Sequence, residues 1–325
     1  MPLTYESELR VATDAVRQAA VLCRSARAEG FEKQDRSPVT VADFGSQAVI
    51  CRALLDAFPD DPVVAEEDSA TLRQAADPDL LRRVVRHIQA CWPDADARAV
   101  CNWIDRGQQR CYVDRFWTLD PIDGTKGFLR GEQYAIALAL IVNGEVVVAA
   151  LACPNLPMRD DATSGGGAIF TAVRGRGAKA RPLALDEPAV PVKVNDTGDP
   201  SAARFCESVE AGHSSHGDAA AVASRLGIVV EPYRIDSQCK YAVVARGSAD
   251  IYLRLPVRAD YVECIWDHAA GSLVVSEAGG TVSDIAGKPL DFTCGSRLEK
   301  NRGVVVTNAR LHQRVLDALR EVGLA

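Results

Sequence analysis

Trp117-Thr118-Leu119-Asp120-Pro121-Ile122-Asp123-Gly124-Thr125-Lys126-Gly127 sets two carboxylates on either side of a proline and follows them with glycine and threonine. Proline stiffens the backbone between Asp120 and Asp123, and a Gly-Thr pair is a good start for a helix. The reading places Asp120 at the carboxyl end of an apolar strand, Phe116 to Leu119. Gly124 lets the main chain come close to a phosphate and turn its amides toward it. Hard divalent ions such as magnesium take oxygen ligands, and two carboxylates so spaced serve one ion each or share one. Taken alone, Asp-Pro-x-Asp-Gly reads as a polar turn.

Other acids stand where elements begin or end. Asp43 lies in Ser37-Pro38-Val39-Thr40-Val41-Ala42-Asp43, ahead of an amphipathic stretch through Val49, Ile50, Ala53, Leu54 and Ala57. Glu66 closes the apolar run Val63-Val64-Ala65, and Asp267 follows Trp266 at the head of an Ala-rich helix ending in Gly279-Gly280. Read singly, each of these acids suits a helix cap or a solvated position. Together they suit phosphoryl transfer assisted by several metal ions roughly 3.5 to 4 Å apart.

In order along the chain, Glu66-Glu67, Asp120 to Thr125 and Trp266-Asp267 resemble the shared pattern of the lithium-sensitive, magnesium-dependent phosphomonoesterases, which include inositol monophosphatases and fructose-1,6-bisphosphatases. The flanking segments are more specific. Lys126-Gly127-Phe128-Leu129-Arg130-Gly131-Glu132-Gln133, Gly212-His213-Ser214-Ser215-His216, Asp236-Ser237-Gln238-Cys239-Lys240-Tyr241 and Tyr252-Leu253-Arg254-Leu255-Pro256 are similar to the 3'(2'),5'-bisphosphate nucleotidases. The resemblance runs from about Leu9 to the final helix. One departure is Ala65, where relatives usually carry glycine; its methyl group threatens to shift Glu66 and loosen a metal.

The resemblance implies a layered αβαβα sandwich of the sugar-phosphatase type. It implies one magnesium ion held by Glu66, Asp120 and the carbonyl of Ile122, a second by Asp120, Asp123 and Asp267, and a third, weaker one near Glu66 and Asp43. It further implies that Thr125 and Asp43 orient an in-line water, that the amides of Gly124 and Thr125 hold phosphate, and that His213, Ser237, Lys240 and Arg254 contact the nucleotide. The activity it implies is release of the 3'-phosphate of adenosine 3',5'-bisphosphate, and of its sulfated precursor, without a covalent nucleophile. Two alternatives stand beside it: an inositol phosphate phosphatase, and a non-catalytic sensor that binds the bisphosphate. The intact metal set together with Thr125 and Asp43 argues against the sensor.

Composition sets limits. With 47% hydrophobic residues over 325 positions the chain can bury a large core. Glu6, Glu8, Arg10 and Asp14 interrupt any signal-peptide core, and the apolar run Ala135 to Val142 falls short of the ~20 residues that span a bilayer. The expectation is a cytoplasmic enzyme, or an organellar one if a targeting peptide precedes this chain, acting as a monomer without membrane or nucleic-acid partner. A net charge of −7 disfavours non-specific binding to nucleic acid, so an anionic ligand must meet a local basic pocket. The ten cysteines show no Cys-x-x-Cys spacing and read as reduced core thiols. Cys91, Cys101 and Cys111 recur every ten residues across a loop-bearing region, which leaves a redox switch open. His213-x-x-His216 reads as substrate contact or capping rather than a metal pair, and His87, His268 and His312 as ordinary helix residues.

Periodicity supplies the organisation. Leu9, Ala12, Val16, Ala19 and Cys23 imply a long opening helix. From Phe116 the pattern is of strands: Ala135 to Val142, an Asn143-Gly144 turn, Glu145 to Ala152, then Ala168 to Val173 after Gly165-Gly166-Gly167. Pro182 to Pro191 reads as a linker. Beyond it, helices near Ala219 to Leu226, Gln238 to Arg246 and Asp267 to Ala278 alternate with strands near Ile251 to Leu255 and Val304 to Thr307. The fold class is therefore α/β overall, an α+β N-terminal half (1–181) and an α/β C-terminal half (192–325). The resemblance implies that the first half holds most metal ligands and the second the substrate residues and the last metal ligand, with the site in the cleft between them.

Overall fold

The computed structural model describes residues 4–28, 40–74, 79–160, 166–184, 187–209, 216–256, 258 and 260–325. The first half opens with two helices, α1 (Glu6–Ala28) and α2 (Val41–Ala57), and continues through strand β1 (Val63–Ala65) and helices α3 (Ser69–Arg73), α4 (Leu80–Gln89) and α5 (Ala97–Asp105). The chain then enters β2 (Arg115–Asp123), a short helix α6 (Thr125–Arg130) and the strands β3 (Ala135–Val142), β4 (Glu145–Cys153), β5 (Ala168–Val173), β6 (Ala178–Pro182) and β7 (Val190–Pro191). After β8 (Phe205–Glu207) come α7 (His216–Leu226), β9 (Tyr233–Arg234), α8 (Cys239–Ala245), β10 (Ile251–Arg254), α9 (Ala269–Glu277), β11 (Thr281–Ser283), β12 (Val304–Thr307) and α10 (His312–Glu321).

Strands β1 to β7 form one seven-stranded sheet in chain order, parallel between β1 and β2 and antiparallel elsewhere. The turn between β3 and β4 places Asn143 at φ 52° and Gly144 at φ 77°, the left-handed pair that a two-residue hairpin demands. A second, five-stranded sheet has the order β11-β12-β10-β8-β9 and mixes parallel with antiparallel pairs. The stretch from Pro182 to Pro191 is less of a linker than its prolines suggest, because β6 reaches Pro182 and β7 adds Val190 and Pro191 at the sheet edge. Proline is tolerated there since an edge strand has unpaired positions that need no N–H.

Side-chain alternation sorts the strands into layers. Ile136, Leu138 and Leu140 of β3 face α1, α2, α4 and α5, whereas Ala135, Ala137, Ala139 and Ile141 face α8 and α9. Tyr252 of β10 looks toward that middle layer, while Ile251 and Leu253 look outward to α7 and α10. The order is helix, sheet, helix, sheet, helix, so the αβαβα sandwich is present. Both faces of the large sheet are covered, and each Leu or Ile fully withdrawn from water contributes about 1.5–3 kcal/mol.

Helix α2 departs from the amphipathic expectation. Twelve of its residues from Val41 to Leu54 are buried, because it lies between α1, α4, α5 and β2. A Cβ at Gly45 would meet Leu22 at 2.7 Å, so α1 and α2 approach where side-chain volume is least. Asp43 sits inside this helix as the third residue of a capping box rather than ahead of it: Thr40 caps the N-terminus and Asp43 accepts from the Thr40 amide. Most of the ten thiols are buried; Cys91 and Cys111 are exposed and Cys101 is buried on α5.

Candidate functional site

The Asp-Pro-Ile-Asp stretch does not stop at the strand end but bulges within it. Asp120 pairs with Ala137 and Asp123 with Ala135, so Pro121 and Ile122 together stand opposite the single residue Ile136 and the strand carries one extra residue. Proline has no N–H to give the ladder, and the Ile122 amide donates instead to Asp120 Oδ1 at 3.1 Å. Ser46 on α2 donates to the Pro121 carbonyl at 2.8 Å, pinning the bulge from below. The chain then turns at Gly124 with φ 89° into α6. A Cβ there would lie 2.9 Å from Ser237 Cβ, so the glycine serves both its left-handed backbone and the close approach of the second half.

Around this bulge the structure opens a cleft of about 280 Å³. Glu66, Asp120, Ile122, Asp123, Gly124, Thr125, Ser237, Lys240, Arg254 and Asp267 all line it, which unites ten residues singled out from the sequence. Asp43 stands just behind, its Oδ1 3.4 Å from Thr125 Oγ1. Thr125 also donates within reach of the Ile122 carbonyl at 3.3 Å. His213 lies outside the described residues, as does the rest of its segment up to Ser215.

The electrostatics are those of carboxylates crowded without enough counter-charge. Burial, then Glu66, Asp123 and Asp267, hold Asp120 well above the usual carboxylate range. Burial and the nearby Asp43 and Asp123 push Glu66 up to about 7, although its side chain opens onto the cleft. Asp267 is pushed to about 7 by burial and Asp123. Asp43 rises to about 6 because burial outweighs its hydrogen bonds from Thr40. Concentrating this much negative charge is unfavourable unless cations share the space. The donors are carboxylate oxygens and one carbonyl, the ligand set of a hard divalent ion.

The same cleft is also lined by the cations Lys240 and Arg254. Lys240 is buried, with Nζ 5.2 Å over the Tyr252 ring, and burial lowers its pKa. Ser237 takes φ 67° and its hydroxyl accepts from the Cys239 amide. Arg254 ends β10 and its Nε donates to Glu263 Oε1 at 3.2 Å.

Several participants escaped the sequence reading. Gln238 donates its amide to Asp123 Oδ2 at 2.6 Å, its side chain to the Trp266 carbonyl at 2.9 Å, and accepts from Gly271, so one residue ties Asp123 to the backbone next to Asp267. Its place in the Asp236 to Tyr241 segment was the available signal. Gln47 brackets Glu67, accepting from its amide at 3.0 Å and donating to its carbonyl at 2.6 Å. Buried Glu263 gave no motif; burial acts to raise its pKa, but His268 and Arg254 prevail and draw it down to about 2. His268 is more than a packing residue, bonding Tyr241 and Glu263. The Ala65 methyl is met by Gly107, where a Cβ would come within 2.6 Å of it, so the space is provided across the strand.

Comparison with known proteins follows this geometry. The sequence model of the inositol monophosphatase family matches residues 4–324. A 3'(2'),5'-bisphosphate nucleotidase of Emericella nidulans is 44% identical over 98% of this chain and 99% of its own length. One from Schizosaccharomyces pombe is 44% identical over 98% and 97%, and one from Dictyostelium discoideum 38% identical over 96% of each. Among solved structures, an inositol monophosphatase from Anabaena superposes with a TM-score of 0.64 at 20% identity, covering 99% of this chain and 98% of that one. A Thermotoga maritima IMPase gives 0.65 at 21%, covering 97% of each. At such identities the structures speak for the fold.

Proposed function

The chain belongs to the inositol monophosphatase family, among its 3'(2'),5'-bisphosphate nucleotidases, and from that premise we propose a magnesium-dependent phosphatase that removes the 3'-phosphate of adenosine 3',5'-bisphosphate. Adenosine 5'-monophosphate is the product; 3'-phosphoadenylyl sulfate would give adenosine 5'-phosphosulfate. The observation that carries this reading is one cleft lined both by crowded carboxylates and by Lys240 and Arg254. The carboxylates suit a phosphate being cleaved with metal cations, and the two basic side chains suit a remote anion of the same substrate.

The residues fit two to three magnesium ions. Glu66, Asp120 and the Ile122 carbonyl would hold one, Asp120, Asp123 and Asp267 another, and Glu66 with Asp43 a weaker third. Magnesium bound there supplies positive charge to the phosphate and polarises water. Thr125 Oγ1 takes the proton of the attacking water as its own passes to Asp43 Oδ1. Asp43 Oδ2 is already engaged by the Thr40 amide and hydroxyl at 2.7 and 2.5 Å, which turns Oδ1 toward Thr125. The first amides of α6, at Gly124 and Thr125, have no acceptor within the helix and can hold phosphate oxygens. Ser237, Lys240, Arg254 and His213 contact the nucleotide.

We further read residues 1–181 and 192–325 as two subdomains, the first with most metal ligands and the second with the substrate residues and the last metal ligand, and the protein as a cytoplasmic monomer. Among the described residues no helix is long and apolar enough to cross a membrane. Phosphate release from adenosine 3',5'-bisphosphate, its sulfate, inositol 1-phosphate and fructose 1,6-bisphosphate, with and without magnesium, tests the reading. Fastest release from the two adenosine compounds, abolished by chelation, is the expected result; preference for inositol phosphate would assign a different substrate.

A further inference from the structure

We propose that Tyr241, His268 and Glu263 form a positioning relay that aims Arg254 at the anionic group of the substrate remote from the acids. The inference rests on the reading of Arg254 as a nucleotide contact and deepens it. Glu263 is buried and engages both oxygens, Oε1 taking the Arg254 Nε hydrogen at 3.2 Å and Oε2 lying 3.2 Å from His268 Nε2. A carboxylate only accepts, so His268 carries its hydrogen on Nε2, and Nδ1 then accepts from the Tyr241 hydroxyl at 2.7 Å. The relay therefore runs in one direction: Tyr241 hydroxyl to His268, His268 to Glu263, Arg254 to Glu263.

An arginine beside this cleft needs such a hold. Asp267 lies close enough to act on Arg254 electrostatically, and a long flexible cation left to itself would fold onto the crowded acids. Binding Nε to Glu263 fixes the guanidinium plane, so that its two Nη groups form the edge offered to an anion. Glu263, Asp267 and His268 do bring ligand atoms within 4.8 Å of one another, the spacing of a metal site. Both nitrogens of His268 and both oxygens of Glu263 are already engaged, so the cluster works as a hydrogen-bond chain. Tyr241 is itself fixed, its ring against Gly271, where a Cβ would come within 2.3 Å, and edge-on to Tyr252 at 5.3 Å.

The test needs neither substrate nor metal at its first step. Exchange of the Arg254 Nε hydrogen with water, followed by ¹⁵N NMR and assigned by its loss in Arg254→Lys, should be slow in the wild type. It should accelerate at least tenfold in Glu263→Gln, and several-fold in Tyr241→Phe, which removes one hydroxyl at the far end. Unchanged exchange in Tyr241→Phe would overturn the relay. Kinetics then ask what the aim is for. KM for adenosine 3',5'-bisphosphate should rise roughly tenfold in Glu263→Gln with kcat within about twofold, and inositol 1-phosphate kinetics should stay within about twofold. In an Arg254→Ala background, Glu263→Gln should add less than about twofold; a full further loss there would make Glu263 structural and overturn the proposal. If the wild type ignores the bisphosphate, the substrate reading fails while the exchange measurement still decides the relay. Should Glu263→Gln not fold, Tyr241→Phe carries both measurements.

Discussion

Asp43 and Thr125 stand 82 residues apart in the chain, yet Oδ1 of one is 3.4 Å from Oγ1 of the other. One is the third residue of a buried helix and the other the first residue of a helix that follows the strand bulge. Their meeting joins the helical layer to the sheet at the point where the phosphate is read to bind. A threonine hydroxyl so placed can accept a proton only if the carboxylate behind it takes one in turn. Asp43→Asn and Thr125→Val should therefore each lower kcat by ~10²–10⁴, the usual worth of a proton-transfer group. The double variant should be hardly worse than either single one, since both remove one relay. Because the relay needs ionised Asp43, whose pKa is raised to about 6, activity should climb with pH through about 6. Losses that multiply in the double variant would separate the two residues.

Asp120→Asn keeps the volume and removes a charge that the proposal has two ions share. Turnover should fall by at least ~10²-fold at saturating magnesium, the scale on which loss of a fixed electrostatic element is felt. Circular dichroism and the melting temperature should change little, because the Ile122 amide still finds an oxygen acceptor. Near-normal turnover would remove the multi-metal mechanism.

The same acids predict how stability follows pH. Glu66 and Asp267 titrate near 7 in the folded chain but near 4 to 4.5 when unfolded. Between those values the folded state binds more protons, so stability of the metal-free protein falls as pH rises from about 4.5 to 7 and then levels off. Magnesium should restore what is lost, giving a larger rise in melting temperature at pH 8 than at pH 5.5. Scanning calorimetry in chelator and in magnesium measures both. Equal magnesium effects at the two pH values would mean that these carboxylates do not hold the ion.

Much of this was legible in the sequence, for reasons particular to each segment. The hairpin at Asn143-Gly144 and helix α1 announce themselves because turn chemistry and a half-buried helix leave local patterns. The acids were found because each sits in a short motif. What local pattern does not encode is which sheet face meets which helix, since β3 is buried on both sides and shows no alternation of polarity. For the same reason α2 read as amphipathic when it is enclosed. Gln238 and Glu263 act through partners 28 and 9 residues away, and nothing in their immediate neighbours signals those pairings.

On the proposed reading, specificity rests on Lys240 and Arg254. Lys240→Met preserves most of the buried side-chain volume while removing the charge, and loss of a charged contact costs about 1.5 to 3 kcal/mol, or roughly ten- to a hundredfold in kcat/KM. That loss should appear with adenosine 3',5'-bisphosphate and be far smaller with inositol 1-phosphate, which has no second phosphate. Equal losses would place Lys240 in the shared chemistry or the fold.

The most direct measurement is to follow adenosine 3',5'-bisphosphate by ³¹P NMR as the enzyme turns over in magnesium. The 3'-phosphate resonance should disappear as inorganic phosphate grows, while the 5'-phosphate persists as adenosine 5'-monophosphate. Loss of the 5' resonance with accumulation of the 3'-monophosphate, or an unchanged spectrum under conditions where inositol 1-phosphate is hydrolysed, would contradict the account.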